Sequence, residues 1–132
     1  MLAAVWDRQT SAMTVAGVVQ AFARAWNTDD DSGRLRLLAT ACVPNAVFVA
    51  PQGTLTGTDA LCASIGDFRR ACPAAEVAFG PPEVHDGVVR VAWVTRWNTG
   101  QPDLAGEDFG ELAADGRIRL LASFDGAPQP AS

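Results

Sequence analysis

The sequence GEDFGELAADGRIRLLASF (residues 106–124) decides the fold, because it predicts two β-strands joined by a tight turn. Its dipeptide Asp115-Gly116 is typical of hairpin turns, and the segments on either side of it are the predicted strands. A second such dipeptide, Asp86-Gly87, separates a predicted strand at residues 75–79 from a longer one at residues 87–98. The second half of the chain is therefore predicted to be a run of strands, joined mainly by hairpins.

Three amphipathic helices are predicted in the first half of the chain. The first runs from Thr10 or Ser11 to about Trp26, with apolar residues three and four positions apart. The second, GRLRLLATAC, follows an acidic turn and is stopped by Pro44. The third, DALCASIGDFRRAC, has Thr58 as its N-cap. The inward-facing residues of the second and third helices are predicted to be Leu35, Leu38, Ala39, Leu61, Ile65 and Phe68.

One strand lies between the second and third helices. AVFVAPQG (residues 46–53) is rich in β-branched and aromatic residues, and alternation puts Ala46, Phe48 and Ala50 on one face. The order helix, helix, strand, helix and then strands predicts an α+β fold, with helices on one face of a curved antiparallel sheet. The 132 residues fit a single domain, residues 1–132, with poorly ordered or extended ends at residues 1–9 and 125–132.

Composition and charge exclude several classes of function. Hydrophobic residues make up 48% of the chain and charged residues 19%, which is typical of a folded soluble domain. The 15 acidic and 10 basic residues give a net charge of −5, and no basic run offers a footprint for nucleic acid. No apolar run is long enough for a bilayer, and the N-terminal residues do not resemble a signal peptide. No nucleic-acid or membrane partner is predicted, and the expected location is cytoplasmic.

The cysteines and the histidine do not predict a metal or redox site. Cys42, Cys62 and Cys72 are an odd number at spacings that match neither a disulfide framework nor a zinc knuckle, so reduced packing residues are expected. The single histidine, His85, lies beside a predicted hairpin turn, where a surface position is favoured. No metal and no cofactor are predicted.

The chain resembles the nuclear-transport-factor-2-like superfamily and, within it, the bacterial SnoaL-like proteins. The resemblance rests on VVQAFARAWNTDD, on AVFVAPQGTLTGTDAL and above all on GEDFGELAADGRIRLLASF, and it covers roughly residues 14–124. It implies a cone in which a bent sheet and three helices enclose a largely apolar pocket. It also implies pairing into homodimers through the outer face of the sheet.

The resemblance extends to the ketosteroid isomerases, which use an aspartate base together with a tyrosine and a protonated aspartic acid as hydrogen-bond donors. Matching the two sequences implies that Phe22 stands in place of the tyrosine, Ala50 in place of the base and Asp108 in place of the neutral acid. Phenylalanine cannot donate a hydrogen bond, and alanine cannot abstract a proton. Isomerisation by this set of groups is therefore not expected.

The resemblance implies a set of pocket residues, of which Asp108 is the candidate catalytic one. If Phe22, Phe48 and Trp93 enclose Asp108, desolvation raises the pKa of the carboxyl, which then serves as a general acid or as a ligand anchor. The alternative is a structural carboxyl that bonds a backbone amide or an indole. A wall of Trp26, Trp93 and Trp97 is likewise either a ligand surface or part of the core. The predicted pocket-lining residues are Phe22, Trp26, Phe48, Ala50, Phe68, Trp93 and Leu112.

The face of the sheet opposite the core is a candidate dimer interface. It is predicted to mix charged and apolar side chains, and a solvated sheet surface is the alternative. The predicted members of this face are Arg90, Ala92, Val94, Arg96, Phe109 and Leu121.

Three functional hypotheses follow from the sequence. The first is a SnoaL-like protein that binds a small hydrophobic molecule in the pocket, without the isomerase base and donor. The second is an isomerase, cyclase or dehydratase that acts on a hydrophobic carbonyl compound with Asp108 as general acid. The third is a dimeric structural or interaction module whose cone is filled by side chains. A ligand-sized cavity separates the first two from the third.

Overall fold

The computed structural model describes residues 14–126, which form three helices and one seven-stranded sheet. The α+β class predicted from the sequence is confirmed. The elements are α1 (Val15–Trp26), α2 (Asp31–Ala41), β1 (Cys42–Ala50), β2 (Gly53–Thr56), α3 (Thr58–Ala71), β3 (Glu76–Phe79), β4 (Glu83–His85), β5 (Val88–Arg96), β6 (Leu104–Leu112) and β7 (Ile118–Asp125).

The sheet is mixed and open, with the strand order β2-β1-β7-β6-β5-β3, and β4 also pairs with β5. β1 and β7 run parallel, whereas every other pair is antiparallel. The predicted turns at Asp86-Gly87 and Asp115-Gly116 join β4 to β5 and β6 to β7, and Asp86 and Gly87 have positive φ angles of 49° and 79°. The strand predicted at residues 75–79 is β3, which pairs with β5 but is not joined to it by this turn. The strands β2 and β4 were not predicted, because four and three residues are too short to give a clear alternation.

Helix α1 begins at Val15 because Thr14 caps it: the Thr14 hydroxyl accepts a hydrogen bond of 3.0 Å from the Gly17 N–H. The earlier start predicted at residues 10–11 lies outside the described residues. The buried face of α1 carries Val18, Phe22 and other apolar residues that join the core under the sheet. The predicted amphipathic helix is thus present, and its last residue is Trp26 as expected.

Helix α2 differs from the prediction in the face that it buries. Leu35 is 37% exposed and Ala39 is also exposed, whereas Arg34 is only 1% exposed and Leu38 is fully buried. The prediction was wrong for Leu35 and Ala39. The guanidinium of Arg34 donates to backbone carbonyls inside the fold, so the buried face of the helix contains Arg34 and Leu38 instead of Leu35 and Ala39. The helix ends at Ala41 rather than at the proline that was expected to stop it.

Pro44 instead lies within β1, at an irregularity of the pairing with β7 between Cys42 and Val47. A proline is tolerated there because a bulge does not need its missing N–H. At the next helix, Gly57 occupies the N-cap of α3 with a φ of 96°, and Thr58 is the first helical residue. The prediction of Thr58 as N-cap was therefore wrong by one position.

The C-terminal end is described only in part. Asp125, the first residue of the end predicted to be poorly ordered or extended, is the last residue of β7. Residues 1–9 and 127–132, which include the rest of the predicted loose ends, lie outside the described residues. None of the helices within residues 14–126 combines the length and the apolar character that a membrane span needs.

Candidate functional site

A cavity of about 510 Å³ lies between the helices and the inner face of the sheet. Ligand pockets in proteins usually measure roughly 300–1,000 Å³, so this volume suits a small molecule. The exposed turn between β1 and β2 contributes Pro51, Gln52 and Gly53 to the lining and marks the mouth. Six of the seven residues predicted to line a pocket lie on the wall of this one cavity: Phe22, Trp26, Phe48, Ala50, Phe68 and Trp93.

Leu112 is the exception, and its prediction as a lining residue was wrong. It faces inward but lines a separate void of about 10 Å³. Phe22, Phe79 and Leu121 line both spaces and therefore form the partition between them. Leu112 lies four residues beyond Asp108 along β6, a distance of roughly 13 Å. It is therefore on the other side of this partition from Asp108.

The cavity wall is largely aromatic, in two groups. At the rear, the Phe22 ring stacks on Phe79 with centroids 5.6 Å apart and lies parallel to Phe48 at 6.3 Å. In the second group, Phe68 meets Trp26 and Trp97 edge to face, at 5.6 and 6.2 Å. Aromatic pairs in these geometries hold one another in place, so the two groups form a firm wall.

Asp108 is on the inner face of β6, where it pairs with Val91 on β5 and with Ser123 on β7. Its side chain lines the cavity and is only 4% exposed. The pKa of the Asp108 carboxyl is raised to about 6, chiefly by burial and slightly by the nearby Asp125 carboxylate, whereas Ser123 and Trp93 oppose the rise. Ser123 and Trp93 are close neighbours rather than full hydrogen-bond partners, since Asp108 Oδ1 and Trp93 Nε1 are both unpaired.

Three buried side-chain polar atoms lack a hydrogen-bond partner within residues 14–126, and all three belong to residues of the cavity wall. They are the carboxyl oxygen Oδ1 of Asp108 and the indole nitrogens Nε1 of Trp26 and Trp93. Buried polar groups are normally paired, because leaving one unsatisfied costs about 1–3 kcal/mol. One acceptor and two donors therefore lack partners in residues that all belong to the wall of one cavity.

Trp93 reaches this position because the residue opposite it on β6 is Gly106. A side chain at residue 106 would overlap the Trp93 ring and the Phe124 carbonyl oxygen. The absent Cβ leaves room for the indole against β6, two residues from Asp108. Gly106 is thus the residue of GEDFGEL that allows Trp93 to lie close to the Asp108 carboxyl.

The other positions of the isomerase comparison carry no reactive group. Phe22 is 4% exposed and apolar, and Ala50 is half-buried at the end of β1 on the cavity wall. The chain contains no tyrosine. Among the described residues, no cluster of three histidine, cysteine or acidic side chains could hold a metal ion. Cys42 is buried, and burial raises the pKa of its thiol to about 12, so it is not a nucleophile.

Two polar wall residues were not identified from the sequence as part of the pocket. Ser123 and Asp125 alternate with Leu121 along β7, and all three line the cavity. The alternation from Leu121 would have found them. Leu121 was instead predicted on the outer face, because an irregularity in the pairing of β6 with β7, between Glu111 and Leu112, shifts the register by one residue. Asp125 was predicted to belong to the C-terminal end.

Comparison with known proteins first defines the fold. No protein-family model and no curated protein matches the sequence significantly. Among solved structures, a cystatin-like-fold protein of unknown function from Methylobium petroleophilum PM1 superposes with a TM-score of 0.72 at 16% identity over 90% of this chain and 82% of its own. An NTF2-like protein of unknown function from Exiguobacterium sp. 255-15 gives 0.67 at 17% identity, over 84% of this chain and 99% of its own. The chain has the nuclear-transport-factor-2-like fold.

A third structure narrows the comparison. An isomerase candidate of the SnoaL-like family from Agrobacterium tumefaciens str. C58 superposes with a TM-score of 0.76 at 26% identity, over 87% of this chain and 100% of its own. The resemblance to SnoaL-like proteins that the sequence indicated is confirmed.

Proposed function

We propose that this protein binds one small, mostly apolar molecule with a polar group in the cavity of its cone. The observation that carries the proposal is that Asp108, Trp26 and Trp93, three residues of one cavity wall, each have a buried polar atom without a partner. An aromatic wall supplies apolar contact, while the few polar groups fix the orientation of the molecule. An oxygen acceptor on the ligand would pair with an indole N–H, and a donor on the ligand would pair with Asp108.

A second candidate function is catalysis on a hydrophobic carbonyl compound, with Asp108 as general acid. It is supported by the pKa of Asp108, which burial brings to about 6 and thus close to the range where a carboxyl transfers protons at neutral pH. The absence of a base at Ala50 and of a donor at Phe22 limits this candidate to reactions that need one acid and no second protein base. Binding is therefore the function that the site supports best.

The third hypothesis, a cone filled by side chains, has the least support. The cavity volume of about 510 Å³ is far larger than the small voids of a packed core. A purely structural role would also leave the three polar atoms unpaired with no compensating ligand.

The binding proposal predicts that a bulky residue at the cavity mouth blocks a neutral apolar probe. Ser64 lies on α3 and lines the cavity, whereas its exposed neighbour Ala63 does not. We expect N-phenyl-1-naphthylamine to bind with one site per chain and to raise the thermal midpoint. We expect Ser64→Trp to weaken its binding at least about tenfold by occupying the cavity, and Ala63→Trp to change it less than about twofold.

Fluorescence titration with each variant measures these affinities. Equal binding by Ser64→Trp and the parent protein would contradict the proposal, because the probe would then be bound elsewhere. The Ala63→Trp control shows whether an added indole on the surface of α3 changes the signal by itself.

We further propose that the chain forms a homodimer through the outer face of the sheet. Phe109 and Phe124 are 39% and 57% exposed on this face, and their rings meet edge to face at 5.8 Å. Adjacent exposed apolar rings of this kind are typical of the centre of an interface.

Leu121 was predicted to belong to this face, but it is 5% exposed and points inward. Leu120 and Ala122 are on the outer face instead.

The dimer proposal predicts that one charge at the aromatic pair produces monomers. We expect the parent protein to sediment with twice the mass of one chain and Phe124→Asp to sediment as a single chain. Leu35→Asp is the matched control, because Leu35 is an equally apolar exposed residue on α2, away from the sheet. A monomeric parent protein, or a Phe124→Asp variant that remains dimeric, would contradict this interface.

A further inference from the structure

We propose that the ligand of this cavity is a hydrophobic organic cation, namely a protonated amine whose ammonium group lies against Asp108. This inference rests on the proposed binding function and names the chemical class of its ligand. It follows from the charges of the cavity wall, from its aromatic faces and from the donors that the wall leaves free.

The charges of the wall are all negative. Asp108 and Asp125 are the charged residues of the lining, and none of the arginines among residues 14–126 contributes to it. The chain has no lysine, and its histidine His85 is exposed on β4 outside the cavity. A buried carboxylate without a cationic neighbour is costly, whereas a ligand cation provides the missing counter-charge. The same two carboxylates repel a carboxylate, sulfate or phosphate ligand.

The buried arginines satisfy their charges elsewhere. Arg34 bonds the backbone carbonyls of Thr28, Asp29 and Cys62, and Arg69 bonds the Asp29 carboxylate at 2.8 Å and the carbonyls near Ala75. Each guanidinium is therefore held on the helix side of the fold. The two acids of the cavity have no access to these cations, which leaves the counter-charge to be supplied by a ligand.

The aromatic rings of the wall favour positive charge as well. A cation placed over an aromatic face is attracted by the negative potential of the ring, and the attraction is strongest for tryptophan. The aromatic residues of the lining are Phe22, Trp26, Phe48, Phe68, Phe79, Trp93 and Trp97. Trp93 is beside Asp108, so an ammonium group there meets a carboxylate and an indole together.

The free indole N–H groups add a second requirement. An ammonium group is a donor and cannot accept from Trp26 or Trp93, whose Nε1 atoms are buried without partners. The amine should therefore carry an ether, hydroxyl or carbonyl oxygen at some distance from its nitrogen. The cavity thus fits an oxygen-bearing aromatic or alicyclic amine better than a simple alkylamine.

Three probes on one scaffold test this inference: 6-methoxy-2-naphthylmethylamine, 6-methoxy-2-naphthylmethanol and 6-methoxy-2-naphthoate. They share the ring and the ether oxygen and differ in charge. By isothermal titration calorimetry at slightly alkaline pH, where both the amine and Asp108 are charged, we expect the amine to bind at least about tenfold more tightly than the alcohol. The carboxylate should bind most weakly.

Asp108→Asn should reduce the preference for the amine over the alcohol to less than about threefold, since it removes the counter-charge and keeps the shape. Asp67→Asn is the matched control, because it removes the same charge from the exposed face of α3 and should leave the preference unchanged. If the alcohol binds as tightly as the amine, the cation proposal is overturned and the binding proposal remains. If none of the three probes binds, both are overturned.

Discussion

Asp108→Asn is expected to stabilise the folded protein near neutral pH, by up to about 3 kcal/mol in the free energy of unfolding, because each pKa unit corresponds to about 1.4 kcal/mol. The pKa of the Asp108 carboxyl is raised from 3.8 in the unfolded chain to about 6 in the folded protein, chiefly by burial. The folded protein therefore binds this proton more tightly than the unfolded chain does. The stabilising contribution of the protonated carboxyl is complete below the unfolded pKa and is lost as the pH rises through the folded pKa.

The amide of asparagine has nearly the shape of the protonated acid and no charge to desolvate. The gain in the free energy of unfolding should thus be near zero below the unfolded pKa of 3.8. It should grow as the pH rises toward the folded pKa of about 6 and become constant above it. Chemical denaturation at a series of pH values measures it, and Asp67→Asn serves as the control for net charge. A variant that is less stable than the parent protein at neutral pH would contradict the placement of an unpaired carboxylate in the cavity. A site that lowers stability in this way is typical of groups kept for binding or catalysis rather than for folding.

Arg34→Ala should lower the free energy of unfolding by about 3–5 kcal/mol, because it leaves backbone carbonyls without their donor and removes a large buried side chain. The guanidinium donates to the carbonyls of Thr28, Asp29 and Cys62 and forms an ion pair with Asp31 at 2.7 Å. Without it, the buried Cys62 carbonyl loses a partner and a void opens between α2 and α3. The loss of the ion pair itself contributes little, since the Asp31 side chain is 76% exposed.

Arg36→Ala is the matched control for this prediction. Arg36 is two residues further along α2 and exposed, so its removal should change stability by less than about 0.5 kcal/mol. Urea denaturation of both variants gives the comparison. Equal effects of the two substitutions would mean that Arg34 acts only through charge and not through its buried hydrogen bonds.

The fold could be predicted from local signals in the sequence. The dipeptides Asp86-Gly87 and Asp115-Gly116 specify turns by their own backbone preferences, so the hairpins that they close follow from a few residues. The inward position of Asp108 also follows, because strand alternation is fixed once the turn is placed. Six of the seven lining residues that the resemblance implied also lie at the cavity, three of them on helices and three on strands.

The parts that could not be predicted depend on contacts between distant segments. Arg34 is buried because carbonyls of a preceding loop and of α3 converge on it, which no helical pattern within α2 reveals. Leu112 faces inward as expected, but whether an inward residue meets a cavity or a partition depends on side chains from α1 and β3. The bulge that reverses the faces of β7 also arises from pairing and leaves no mark in RIRLLASF.

The place of β7 in the sheet has a consequence for how the protein folds. This strand lies between β1 and β6, so it connects the pair β1 and β2 to the strands β3 to β6. A ribosome must therefore release nearly the whole described chain before the sheet can become continuous, and pairing between ends so far apart in sequence is slow. Until then, β1 and β6 both present open edges, which can recruit other chains. The cavity is thus among the last features to form. A ligand cannot assist the folding of a nascent chain, because the cavity that would bind it does not yet exist.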